Sequence, residues 1–131
     1  MAIVLRASVP LPPSINHYYT SSHHRTKEAR TFRDLVWAQS IAERWPRLGN
    51  ARLQMHVILP FPTAAGDIDN RSKGLLDSLQ APRRNYERSA CLFENDSQVD
   101  LMLLERGSTC PEGHAEIIVG HRVSHDVTLG W

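Results

Sequence analysis

Residues 66–77 concentrate side chains that can take part in chemistry. Asp67 and Asp69 are two positions apart, as on one face of an extended segment. Asp69, Lys73 and Asp77 then follow at intervals of four, as on one face of a helix. A strand or loop end that turns into a helix here would gather Asp67, Asp69 and Lys73 on one side, with Asp77 as a further candidate.

Carboxylates that lie this close repel one another unless a cation holds them together. Such a cluster is therefore typical of a site that binds a hard divalent cation. Asp96 completes a candidate metal set with Asp67 and Asp69, and oxygen ligands favour Mg²⁺ or Mn²⁺ over zinc. Such a site activates water and offsets charge on a scissile phosphate, while Lys73 stabilises that phosphate or orients the water. The alternative is that the acids cap helices and fill turns, with Asp69 as a helix N-cap.

Other metal and nucleophile sites are poorly supported. Cys110 and His114 have a spacing that zinc could use, with Cys91 as a third ligand, but a fourth is missing. A cysteine–histidine nucleophilic pair lacks a group to orient the histidine. We expect His56 to face a sheet surface instead of binding metal, and we expect both cysteines to be free thiols.

The balance of charge differs between the two parts of the chain. Residues 1–60 carry eight lysines and arginines against three acids, whereas residues 61–131 carry seven against eleven. A basic part beside an acidic part suits a protein that grips a polyanion and binds metal, although solvated charges also vary by chance. The candidate DNA-binding residues are Asn16, Tyr18, Tyr19, Arg25, Lys27, Arg30, Arg33, Arg83, Arg84 and Arg88.

Each group of these residues has a second interpretation. The loop at 16–19 could stack on bases or bond phosphates, or its tyrosines could cover an edge of the core. Arg30 and Arg33 lie largely off the apolar face of their predicted helix and so could reach phosphates. The loop at 82–88 has a composition that fits nucleic-acid contact, or it is simply solvated.

Apolar periodicity predicts the elements that position these residues. We expect strands at 3–9, 52–61, 99–105 and 115–123, and helices at 26–45 and 70–79. Thr26 can cap the first helix, and the last two strands should form an antiparallel hairpin. The fold class is therefore α+β, with a mixed β-sheet packed against two main helices.

Length and hydropathy limit the class of protein. A chain of 131 residues suits a single domain, here spanning residues 1–131. No apolar run approaches the roughly 20 residues of a membrane span, so we expect no membrane association. The first residues have no basic leader or cleavage site and are typical of a first strand, which favours a cytoplasmic protein.

Four segments, in order, resemble the RusA family of Holliday junction resolvases, which prophages often carry. Leu11-Pro-Pro-Ser-Ile-Asn-His-Tyr-Tyr is similar to the family's Pro-Pro-Ser-x-Asn-x-Tyr segment, and Thr26-Lys-Glu-Ala-Arg-Thr-Phe-Arg resembles the approach to its first helix. Asp67-Ile-Asp-Asn-Arg-Ser-Lys, with Leu76-Asp-Ser-Leu, matches its most specific motif. Asn95-Asp-Ser-Gln-Val, with Arg106 after the strand, matches its last acidic segment.

The resemblance implies a RusA-like fold and a homodimer that cuts four-way DNA junctions with Mg²⁺ or Mn²⁺. It assigns metal binding to Asp67, Asp69 and Asp96 and catalysis to these acids with Lys73. Two departures affect the site: Asn95 stands where the family usually has an acid, and the connection from Asp77 to Asp96 is longer than usual. Two alternatives stay open: a non-catalytic binder of branched DNA, and a metal nuclease that acts on other structured nucleic acids.

Overall fold

The computed structural model describes residues 2–84 and 87–123, which form a single small α+β domain. Residues 124–131, and Asn85 and Tyr86 of the predicted 82–88 loop, lie outside the described residues. Four strands and two α-helices are described: β1 Ile3–Pro10, α1 Lys27–Ala42, β2 Leu53–Leu59, α2 Ser72–Leu79, β3 Val99–Arg106 and β4 His114–His121. Short 3₁₀ helices lie at Ile15–His17, Asp69–Arg71 and Asp96–Gln98.

The strands form one mixed sheet in the order β1-β4-β2-β3. β4 is antiparallel to both β1 and β2, whereas β2 and β3 are parallel. The predicted hairpin of β3 and β4 is therefore wrong, because β2 lies between them. Their connection crosses the end of β2, where Cys110 N donates to Phe61 O at 2.9 Å and His114 N donates to Pro60 O at 3.1 Å.

The core lies between one face of the sheet and the two helices. Alternate residues of β4 show the pattern: Ala115, Ile117 and Val119 are buried, while Glu116 is exposed. On the opposite face His56 Nε2 lies 2.8 Å from Glu105 Oε1, so the prediction that His56 faces a sheet surface is confirmed. The buried core is made of residues from β1, β2, β4, both helices and the segments between them, and partly buried residues of β3 pack against it.

Local sequence sets both ends of α1. The Thr26 hydroxyl accepts a hydrogen bond from Ala29 N at 3.1 Å, which confirms the predicted cap. The helix ends at Ala42, earlier than predicted, because Arg44 takes a left-handed conformation with φ +55°. Trp45 N then donates to Ser40 O at 3.0 Å, and this turn brings the indole into the core.

Two further predictions concern cysteines and membranes. Cys91 and Cys110 are both free thiols, as expected. In the described part of the chain, neither helix has the length and apolar composition that crossing a bilayer requires.

Candidate active site

The start of α2 carries the lysine of the candidate site. Gly66 turns the chain ahead of it with φ +114°, and its carbonyl accepts a hydrogen bond from Arg106. Asp69–Arg71 forms a 3₁₀ turn that continues into α2. Leu75 and Leu79 are buried and fix the helix to the core, so the side chain of Lys73 points away from it and is exposed.

A second short turn carries Asp96. Asn95 Oδ1 accepts from Ser97 N at 2.9 Å, and Gln98 Oε1 accepts from Asn95 N at 2.8 Å, which completes a capping box. The buried Gln98 amide also donates to Gly49 O at 2.8 Å. The side chain of Asn95 therefore has a structural role as a cap, at the position where the RusA family usually has an acid.

The structure brings Lys73 and Asp96 together. Lys73 Nζ lies 3.8 Å from Asp96 Oδ2, and the two side chains are 48% and 35% exposed. They line an open polar cavity of about 330 Å³ together with Gln80, Arg83, Glu94 and Asn95. Two residues that the sequence predicts for one site thus meet at a surface that a polymer can reach.

The other two predicted metal ligands are placed differently. Asp67 and Asp69 are exposed on the segment before α2. Within residues 2–84 and 87–123, no three His, Cys, Asp or Glu side chains are close enough together to hold a metal ion. The three carboxylates have suitable oxygen donors, but this geometry does not gather them, so no chemical step is assigned to a metal. The same result gives no support for zinc at Cys110 and His114.

Two structural expectations for the acids of 66–77 are wrong. Asp69 begins the 3₁₀ turn, but its side chain makes no capping bond to either helix, and Arg71 occupies the N-cap position of α2. Asp77 does not share the exposed face of Lys73, since its side chain is 5% exposed. It points into the core because cations from other segments neutralise it there.

Asp77 is the centre of a buried polar cluster. Arg25 donates to both of its carboxylate oxygens, at 2.8 and 3.0 Å, and Arg33 Nη1 donates to Oδ2 at 2.8 Å. The Tyr18 hydroxyl donates to the same Oδ2. Glu87 adds a second acid, 3.3 Å from Arg25 Nη1. The cluster therefore joins α1, α2 and the segments on either side of them.

The cluster fixes the ionisation of its members. Burial favours the neutral acid at Asp77, but the hydrogen bonds from Arg25 and Tyr18 and the charge of Arg33 outweigh it and lower its pKa. Burial raises the pKa of the Tyr18 phenol, and the bond to Asp77 raises it further. At neutral pH Asp77 is thus a carboxylate and Tyr18 a neutral donor.

Burial corrects part of the predicted DNA-binding set. Tyr18 is 0% exposed and Arg33 is 4% exposed, and both side chains are bonded to Asp77. Direct contact of these two side chains with a DNA surface does not fit this arrangement, so we assign both to the cluster. The interpretation of 16–19 as partly covering a core edge is therefore right for Tyr18.

The other predicted DNA-binding residues lie at or near the surface. Asn16 and Lys27 are exposed, and Tyr19 is half-buried with its ring edge against Tyr18. Arg83 lines the cavity of Lys73 and Asp96. A separate cavity brings together Arg25, Arg30, Arg84 and Arg88 with the buried Arg33.

Comparisons with known proteins do not extend this description. No protein-family model matches the chain, and no curated protein matches it. Membership of the RusA family therefore stays a prediction, and the function has to be inferred from the residues of the site.

Two supporting residues were missed by the sequence reasoning. Gln80 Oε1 accepts from Asp96 N at 3.1 Å and so ties the turn of Asp96 to the end of α2. Glu87, from the same segment as Arg83, Arg84 and Arg88, pairs with Arg25. Local patterns carried no signal for Gln80, whereas an acid among three arginines at 83–88 was a signal for an internal ion pair.

Proposed function

We propose that this protein is a structure-specific endonuclease that cuts four-way DNA junctions, as its resemblance to the RusA family suggests. The observation that carries the proposal is the 3.8 Å approach of Lys73 Nζ to Asp96 Oδ2 at an open polar cavity. An accessible lysine beside a carboxylate suits phosphodiester hydrolysis, because the reaction needs a cation for the phosphate and an acceptor for protons.

The residues of the chain divide these roles. Lys73 places a positive charge where negative charge develops on the phosphate, and Asp96 accepts a proton from the attacking water. Arg83, which lines the same cavity, adds a second cation for the DNA backbone. The requirement for Mg²⁺ or Mn²⁺ belongs to the proposal through the resemblance alone, as does the homodimer that would supply two opposed incisions.

The test is cleavage of a labelled synthetic four-way junction by the purified chain, with Mg²⁺ or Mn²⁺ and with EDTA. Lys73→Met and Asp96→Asn should each lower the rate by about 10²-fold or more, since each removes a preorganised charge. Asp100→Asn is the matched control, because Asp100 lies outside the cavity and pairs with Arg52. It should cut at the parent rate.

The same assay separates two alternatives. The observation behind a non-catalytic binder of branched DNA is that, among the described residues, Asp67, Asp69 and Asp96 do not form one metal-binding group. Tight binding of the junction with no incision in either metal would support that binder and reject the nuclease. Incision of flaps or structured RNA in preference to four-way junctions would instead support a metal nuclease of different substrate class.

A further inference from the structure

A second cavity, which we call the arginine cavity, lies between α1 and the segment that follows α2. Its volume is about 410 Å³. Five arginines line it, against the two acids Asp34 and Glu87: Arg25, Arg30, Arg33, Arg84 and Arg88. The lining thus has an excess of positive charge even when both acids are ionised, which favours an anionic ligand.

Arg33 lines this cavity and carries a buried donor without a hydrogen-bond partner among the described residues. Its side chain is 5% exposed and its Nη1 is bonded to Asp77, but its Nη2 has no hydrogen-bond partner among the described residues. Glu87 Oε2, at 4.0 Å, is beyond hydrogen-bond distance and also lacks a partner there. Buried donors are normally satisfied, so a polar ligand or water at this point would complete the site.

Two exposed arginines are held in place around the same space. Arg30 Nη1 donates to Arg25 O at 2.7 Å, and the Arg88 guanidinium lies 4.6 Å from the centre of the Trp37 ring. Contacts of this kind restrict the side chains before a ligand arrives, which lowers the entropy lost on binding. Guanidinium groups also match the geometry of phosphate oxygens, so phosphate is the anion that this lining fits best.

The arginine cavity and the cavity of Lys73 and Asp96 are both adjacent to a third cavity. This third cavity has a volume of about 180 Å³. Arg83 lines both it and the cavity of Lys73 and Asp96, whereas Arg25, Arg84 and Glu87 line both it and the arginine cavity. A polyanion bound at one of them therefore lies next to residues that line the next.

We propose that the arginine cavity binds a phosphate group of the nucleic acid whose neighbouring part lies at Lys73 and Asp96. This inference rests on the proposed function for the identity of the ligand. Arg30 and Arg88 hold the phosphate, and the buried positive charge of Arg33 attracts it without direct contact. Glu87 opposes it, because its carboxylate carries the same sign of charge as the ligand.

Substitutions that remove positive or negative charge from the arginine cavity should change the affinity for DNA in opposite directions. The double variant Arg30→Gln/Arg88→Gln should bind a fluorescent four-way junction in EDTA about tenfold more weakly, because it loses charged hydrogen bonds. Its log–log salt slope should fall by about 0.9 for one lost phosphate contact. Glu87→Gln should bind about threefold more tightly, as expected for removing one like charge at about 6 Å in water.

Arg6→Gln is the matched control, since Arg6 is exposed on β1 and does not line the cavity. Circular dichroism checks that every variant is folded. An Arg30→Gln/Arg88→Gln protein with the affinity and salt slope of Arg6→Gln would overturn the proposal. A folded Glu87→Gln protein that binds no more tightly than the parent would also count against it.

Competition experiments identify the source of the phosphate. Unlabelled oligonucleotides with a 5′-hydroxyl or a 5′-phosphate, and inorganic phosphate, are added to the parent and to the double variant. Equal competition by both oligonucleotides, weakened in the variant, supports a backbone phosphate. Competition restricted to the 5′-phosphorylated oligonucleotide and inorganic phosphate supports a terminal phosphate.

Failure of this proposal is distinguishable from failure of the proposed function. Binding that depends on Arg30 and Arg88, without any incision in Mg²⁺ or Mn²⁺, would reject the nuclease and retain the phosphate pocket. Incision that depends on Lys73, with binding that is unaffected in the double variant, would reject the pocket and retain the nuclease.

Discussion

Replacing Asp77 with asparagine tests whether the buried cluster holds the domain together. Asp77→Asn keeps the size of the side chain but removes the charge that Arg25 and Arg33 contact at 2.8 Å. Arg33 is then a buried cation whose nearest described acid is Glu87, at 4.0 Å. The substitution therefore breaks a buried ion pair from one side.

The expected cost is large for a domain of this size. Removing one partner of a buried ion pair costs about 3–5 kcal/mol, out of a typical total of about 5–15 kcal/mol for a whole domain. The asparagine oxygen still accepts a hydrogen bond from Tyr18, which favours the lower end, about 3 kcal/mol. At about 4 °C per kcal/mol, the melting temperature should fall by about 12 °C.

The assay is the free energy of unfolding in urea, measured over a range of pH. The pKa of Asp77 is lowered in the folded chain, so its contribution to stability is complete above the unfolded value of about 3.9. That contribution is lost as the pH falls through the lower pKa of the folded state. The difference in unfolding free energy between parent and Asp77→Asn should therefore be constant from pH 7 to about 5 and narrow below about 4.

Asp100→Asn is the control, because Asp100 makes the same kind of arginine pair at the surface. It should leave the urea midpoint close to that of the parent. The reasoning would be refuted by an Asp77→Asn protein as stable at pH 7 as Asp100→Asn. A difference that persists unchanged below pH 3 would assign the loss to packing instead of charge.

Two further stability predictions concern the turn of Asn95 and the turn at Arg44 after α1. Asn95→Ala should destabilise the domain by about 1 kcal/mol through loss of the cap on Ser97 N, and Asn95→Asp should keep most of that stability. The urea midpoints of the parent and these two variants measure the difference. Arg44→Gly should stabilise the domain by about 0.5–1 kcal/mol, because glycine relieves the left-handed φ of +55°; a lower melting temperature would contradict this.

The sequence predicted all four strands and α2 to within two residues at each end. β2 and α2 came close to their predicted ranges because Leu53, Met55, Val57 and Leu59 alternate, and because Leu75 and Leu79 recur at a helical spacing. The pairing of strands was not predictable in this way. A short connection usually joins adjacent strands, but residues 107–113 bond to the end of β2 and cross it.

Within the site, the side chains that were misplaced are those with distant partners. Arg33 looked like a surface residue because a charge on a helix is usually solvated, whereas Asp77, far along the chain, supplies the partner that allows its burial. Leu35 and Ile41 of α1 are apolar and yet 51% and 59% exposed. Such outcomes depend on tertiary contacts that no local pattern contains.

The helix α2 carries Lys73 and is also connected to the turn of Asp96, so both members of the candidate site depend on it. Lys73 lies in its first turn, and Gln80, which follows its last residue, holds the backbone of Asp96. Gln98, in the same turn as Asp96, is bonded to Gly49 O ahead of β2, so the turn is held from the sheet as well as from α2. A shift of α2 relative to the sheet would therefore have to strain one of these bonds, which makes the separation of Lys73 and Asp96 depend on the packing of α2 against the sheet.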